Sequence, residues 1–210
     1  ITTWEPIGYG IWKVELPFSF FGDYNPYYLK LTGGWLNYGL WHHRGDVYLD
    51  EEALYERETL KEVRRSRSWY CEVVNGVTTI WANFGESNPN TRMAEINVRQ
   101  NIFFPDIPGL KYITIDGLQF MHSAENWQPP GMRLQSGAVG ARMGKYWIIE
   151  NCTIINARCV GVSLGAAPGV GRDINDFGHH IIRNNIIKRC GEAGIAGSNG
   201  GATRSAIINN

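Results

Sequence analysis

Trp147-Ile148-Ile149-Glu150-Asn151-Cys152 returns as His180-Ile181-Ile182-Arg183-Asn184-Asn185. The pattern comes back in Ala206-Ile207-Ile208-Asn209-Asn210 and is fainter in Ile113-Thr114-Ile115-Asp116-Gly117. Two β-branched residues are followed by a polar residue, then Asn or Gly. The likeness runs beyond the motif, because Ile149, Ile154 and Val162 are spaced like Ile182, Ile187 and Ile195. One copy follows the other after about 33 positions and the next after about 26. Such spacing predicts a solenoid of stacked β coils, in which inward apolar residues are buried only by neighbouring coils. Asn151, Asn184 and Asn210 are expected to stack at one corner, their amides bonding up the ladder. Unequal periods imply loops of different length between strands, and loops on a rigid scaffold are where such folds put chemistry. A sandwich with look-alike strands is the alternative, but the 5-then-8 spacing repeats without slippage.

Upstream of the repeat the character changes. Ile11 to Leu16 alternates apolar and charged residues, as a half-buried strand does, and Pro17 ends it. Phe20 to Pro26 reads as a loop, and Gly45 to Asp50 as a short strand. Glu51 to Val63 is the one segment with helical character, with an irregular segment as the alternative, and the basic run Lys61 to Arg67 reads as a solvated face. Trp69 to Val74 and Val77 to Ala82 are strand-forming runs joined by Asn75-Gly76, which accepts the positive φ of a type I′ turn. Ala94 to Arg99 alternates again. These strands predict an all-β chain: a β-sandwich-like domain over 1–102, then the first coils of a right-handed parallel β-helix over 103–210. His122 to Arg142 and Gly165 to Phe177 read as long loops that interrupt the coils.

Lys and Arg number 20, as do Asp and Glu, so the net charge is zero and neither nucleic acid nor an anionic membrane is the expected partner. Eight Trp and ten Tyr serve cores first, and exposed ones serve as sugar platforms. Cys71, Cys152, Cys159 and Cys190 contain no C-x-x-C pair, and Cys152 and Cys190 fit as small buried apolar residues within the coils. No metal or other cofactor is expected. The chain starts at Ile1 without Met, shows no signal peptide, and has no apolar run long enough for a bilayer. A cytoplasmic location is the expectation.

The polar loop residues suited to chemistry are Glu125, Asn126, Trp127, Asp173, Asp176, His179, His180 and Glu192. Paired carboxylates hydrolyse glycosidic bonds, one as general acid and the other as nucleophile or base. Asp173 and Asp176 share a Gly-rich loop where turn formation is the alternative role. Glu192 lies ten positions after Ile182, the same offset as Cys159 from Ile149, which places it at a coil edge. His179-His180 lacks a third metal ligand in view.

In these features the chain resembles the β-xylosidases of glycoside hydrolase family 120, which are right-handed parallel β-helices interrupted by a β-sandwich. The resemblance runs in order through Val14 to Pro17 with Ser19 to Pro26, Gly45 to Leu49, Thr79 to Phe84, Glu95 to Arg99, Tyr112 to Ile115, Trp127 to Pro130, Trp147 to Asn151 and His180 to Asn185. It implies a glycoside hydrolase acting on β-xylosides or related small glycosides by a retaining two-carboxylate mechanism. It also implies that this is a fragment, because the family's catalytic carboxylates come from coils after the His-Ile-Ile-Arg-Asn-Asn one. No catalytic residue is then expected within the chain, with Glu192 and Asp176 its own candidates. Trp127, Glu125, Asn126 and His122 are the candidates for substrate binding. The implied partner is a xylo-oligosaccharide or similar glycoside, with a homo-oligomer as a further option. An open last coil at Asn210 exposes strand edges, so the chain expressed alone is expected to be aggregation-prone. Two other readings use the same scaffold: a non-catalytic carbohydrate-binding module, and a polysaccharide lyase, for which the acidic cluster that holds Ca²⁺ is missing.

Overall fold

The computed structural model describes residues 1–31, 40–124, 136–165, 177–197 and 201–210. The chain divides into two compact units, Ile1–Arg99 and Gln100–Asn210.

In the first unit, β1 (Glu5–Gly8), β2 (Ile11–Pro17), β3 (Val47–Leu49), β4 (Glu52–Ala53), β5 (Tyr55–Glu56), β6 (Ser68–Val74), β7 (Val77–Asn83) and β8 (Ala94–Ile96) form two sheets. One has the order β1-β2-β7-β6-β5 and the other β4-β3-β8. The β6–β7 hairpin pairs Val74 with Val77 across Asn75 (φ 51°) and Gly76 (φ 78°). Positive φ at both central residues is the type I′ geometry, whose twist matches that of the strands it joins. Alternation in β2 buries Val14 and Leu16 and leaves Glu15 in solvent. Both sheets contribute to one core, with Val14 and Leu16 of β2, Val47 of β3, Trp69 and Cys71 of β6, Ile80 of β7 and Ala94 of β8. The segment Glu51 to Val63 is not an α-helix. It holds β4, β5 and a 3-10 turn at Leu60–Arg64, which Thr59 and Glu62 open with reciprocal capping bonds. Its apolar positions are too few to bury a helical face, and pairing with β3 and β6 satisfies the backbone instead.

In the second unit, β9 (Thr114–Asp116), β10 (Gln119–Met121), β11 (Val139–Gly140), β12 (Ile148–Glu150), β13 (Thr153–Ile155), β14 (Val160–Ser163), β15 (Ile181–Arg183), β16 (Ile186–Lys188), β17 (Ala193–Ala196) and β18 (Ala206–Ile208) wind into coils. Three parallel sheets result, β9-β12-β15-β18, β10-β13-β16 and β11-β14-β17. This is a parallel β-helix. Ile149 pairs with Ile182, Ile154 with Ile187 and Val162 with Ile195, the pairing that the repeat predicts. Ile115, Ile149, Ile154, Val162 and Ile182 all lie in one buried core. β11 falls inside the stretch read as loop, too short to show a period of its own.

The Asn ladder sits one residue away from its expected place. Ile182 pairs with Ile207, so Asn151, Asn184 and Asn209 align, and Asn185 aligns with Asn210. The first three occupy left-handed turn positions with φ of 53°, 57° and 51°. Asn carries that conformation at less cost than other residues with a Cβ. The inward ladder belongs to Asn185 and Asn210. The Asn185 amide donates to the Ile149 carbonyl (3.0 Å) and to Asn210 Oδ1 (2.7 Å), and its oxygen accepts from the Cys152 N–H (2.9 Å). Asn210 in turn donates to the Ile182 carbonyl (2.9 Å).

Asn185→Ala leaves the Cys152 N–H and the Ile149 carbonyl with one partner fewer in the interior, and is expected to cost about 2 kcal/mol. Asn184→Gly, at an exposed left-handed position, should change stability by less than about 0.5 kcal/mol. Urea unfolding of the two variants checks this, and equal losses would put the ladder at the wrong residue.

Candidate functional site

Each coil turns three corners, and the corners are where the polar residues gather. Ahead of the first sheet, Tyr112, Tyr146 and His179 stand in register at positive φ and stack ring on ring. Tyr112 and Tyr146 lie 5.0 Å apart and nearly parallel, and Tyr146 and His179 lie 5.1 Å apart. The next column inward holds Trp147 and His180. His180 is buried, and its Nδ1 accepts the Trp147 N–H at 3.2 Å. An acceptor nitrogen carries no proton, so the ring is neutral with its proton on Nε2. Burial pushes the His180 pKa down to about 4, with His179 adding repulsion and the Gly201 backbone opposing. His179 and His180 therefore hold coils together. Among the described residues, no His, Cys, Asp and Glu group of the second unit or the first could hold a metal ion.

The corner after the second sheet aligns His122 (φ 63°), Asn156 (φ 56°) and Arg189 (φ 58°). Left-handed backbone at His and Arg costs about 1–2 kcal/mol each, strain of the kind that collects at functional sites. The Asn156 amide lies 3.3 Å from His122 Nδ1. Buried Ser123 follows, its carbonyl accepting the Arg158 N–H at 3.1 Å. Leading into the third sheet, the Cys159 thiol donates to Glu192 Oε2 at 2.8 Å. Their shared offset from Ile149 and Ile182 signalled this pairing. His122, Ser123, Asn156, Cys159 and Glu192 thus form a polar strip along one corner of the solenoid.

Of the other sequence candidates, Glu125, Asn126, Trp127, Asp173 and Asp176 lie outside the described residues. The described acids on the first sheet are engaged. Asp116 accepts from the Asn151 amide at 2.8 Å, and Glu150 pairs with Arg183 Nε at 2.5 Å. Neither is placed to act with Glu192, which stands at a different corner. All four cysteines are free, and Cys190 is half-buried instead of fully enclosed. Burial raises its thiol pKa. Sequence reasoning passed over one cluster in the first unit, where the His42 and His43 rings both meet the buried Glu56 carboxylate, at 2.9 and 2.7 Å. The adjacent histidines were its only signal.

Residues 1–68 match the family model of the glycoside hydrolase 120 insertion domain. A solved structure described as the complex of XylC with xylose matches the whole chain, with a TM-score of 0.90 and 32% identity. Together the two matches support a fragment of a family 120 glycoside hydrolase. The chain spans 41% of the XylC chain it matches. No curated protein sequence matches it. Among the described residues no helix is long and apolar enough to cross a membrane.

Because its folded-state pKa lies below the ordinary 6.5, His180 is neutral in the folded chain while the unfolded chain takes up a proton. Its contribution is fully present above pH 6.5 and is lost as pH falls towards about 4. The loss should reach about 3 kcal/mol. Urea midpoints measured across this window should fall less steeply for His180→Asn than for the unaltered chain.

Proposed function

We propose that the protein carrying this chain hydrolyses β-xylosides or closely related small glycosides, with retention, and that its catalytic carboxylates lie outside residues 1–210. The match over the whole chain to a family 120 structure holding xylose carries this reading. In such chemistry one carboxylic acid protonates the leaving oxygen while a carboxylate about 5–5.5 Å away attacks the anomeric carbon. Water then hydrolyses the glycosyl-enzyme, and the first residue, now a base, takes the proton back. Asp116, Glu150 and Glu192, the coil acids with named partners, supply no such pair. Asp116 and Glu150 are spent on the scaffold, and Glu192 receives a thiol proton donor in place of a second carboxylate.

The role of the chain is then to hold a sugar site. The polar corner of His122, Asn156 and Glu192 offers donors and acceptors to sugar hydroxyls. Glu125, Asn126 and Trp127 follow His122 closely in sequence, and a Trp there gives a flat face for a sugar ring.

The full-length protein should release the aryl group from an aryl β-xyloside, and residues 1–210 alone should not. In the full-length protein, Glu192→Gln should lower kcat by less than about tenfold, because a general acid or base contributes at least about a hundredfold. Turnover by residues 1–210 that Glu192→Gln abolishes would place the chemistry in this chain.

A further inference from the structure

The first unit contains a cleft of about 320 Å³ that the glycosidase reading leaves unused. That volume is at the lower end for small-molecule sites. One wall is the free edge of β6. Strand β5 pairs with β6 only at Ser68 and Trp69, so the stretch from Tyr70 to Val74 has no strand on that side among the described residues. Tyr28, Lys30, Trp41, Arg57 and Glu58 line the rest of it.

Three features make this cleft a built site. The first is a braced aromatic platform. Glu56, with its side chain 3% exposed, takes the His42 and His43 rings and the His43 N–H, which ties residues 42 and 43 to β5. Trp41 rests on the His42 ring, with centroids 3.7 Å apart, so the buried carboxylate braces it through that one ring. On the β6 wall Tyr70 is fixed from both ends, stacked on Trp81 (5.9 Å) and donating its hydroxyl to Glu72 (2.6 Å). The second feature is an unused guanidinium. Arg57 Nε is buried and has no hydrogen-bond partner, and Arg57 makes no ion pair among the described residues. Its one contact of note is with the Tyr55 ring, 6.0 Å from the centroid. Leaving a buried donor unmade is costly, and a ligand oxygen would satisfy it. The third is charge balance. Lys30 and Arg57 line it together with Glu58 and Glu72, two cations to two carboxylates, so the cleft favours a neutral ligand that both donates and accepts hydrogen bonds.

We propose that this cleft is a second carbohydrate site, on the insertion domain, for a short neutral oligosaccharide. One sugar ring lies on Trp41 or Tyr28, its hydroxyls accept from Arg57 and Lys30, and they donate to Glu58 and Glu72. The choice of a saccharide as ligand rests on the glycosidase reading. The existence of a site for a neutral polyhydroxylated ligand rests on the cleft itself.

Calorimetric titration of the full-length protein with xylotriose tests the proposal, using a catalytically silent preparation saturated with xylose at the hydrolytic site. A residual saturable binding event is expected, weakened at least about tenfold by Trp41→Ala and by Arg57→Leu. Tyr28→Ala, which removes an exposed ring, supplies a third variant if either of the others fails to fold. Absence of the event, or its persistence at full strength in the folded variants, overturns the proposal, as does binding of extended peptides along β6 with no response to sugar. Hydrolysis of an aryl β-xyloside by the unaltered protein is read separately. Hydrolysis without cleft binding removes this site alone, and cleft binding without hydrolysis removes the glycosidase reading and leaves the site standing.

Discussion

Coil-on-coil burial is the constraint on which the second unit depends. A strand of three residues cannot bury its own apolar side chain. Ile149 is buried because Ile115 lies in register on one side and Ile182 on the other. The stack has no slack, because a one-residue slip would turn Ile149 outward and bring Glu150 into the core. The Asn185–Asn210 ladder locks the same register by polar means, with one side chain bridging the backbone of the coil before and the amide of the coil after. His180 does this on the facing corner, where its neutral ring accepts from the preceding coil. Apolar and polar registers agree, which is the consistency expected of a sequence that specifies one structure.

That rigidity is what makes the corners useful. Left-handed residues recur at equal offsets, and where they are Asn or Gly the conformation comes at little cost. Where they are His122 or Arg189 the backbone bears strain that turning alone does not require. The corner with His122 also holds Asn156, Cys159 and Glu192. The β-helix thus presents a line of polar groups at the spacing of its coils. The first unit is built on another plan. Two sheets close over Trp69, Tyr27 and Ile80, and the truncated pairing of β5 leaves part of β6 uncovered.

How much could be read beforehand varies with how local the cause is. The Asn75-Gly76 hairpin was legible because turn chemistry is decided by two residues. The pairing of Ile149, Ile154 and Val162 with the next coil was legible because a period is a property of the sequence itself. The segment Glu51 to Val63 was not, since its thin apolar stripe suits a helix while its actual strands exist only through partners distant in the chain. The misplacement of Asn210 has a related cause. Asn209-Asn210 and Asn184-Asn185 are identical pairs, and only the hydrogen-bond register of β15 with β18 tells which Asn turns and which one bridges.

The sequence by itself determined the solenoid, the coil register over two full turns, the hairpin and the equal offset of Cys159 and Glu192, because each follows from spacing or from the conformational limits of one or two residues. Tertiary structure decided what those positions do. It made His180 a buried neutral acceptor instead of a ligand, gave Glu192 a thiol instead of a second carboxylate, and joined Glu56 to two histidines, one of which carries Trp41 beside a cleft. These outcomes depend on which distant backbone lies opposite a side chain and on how far water is excluded, and neither is encoded at any one position.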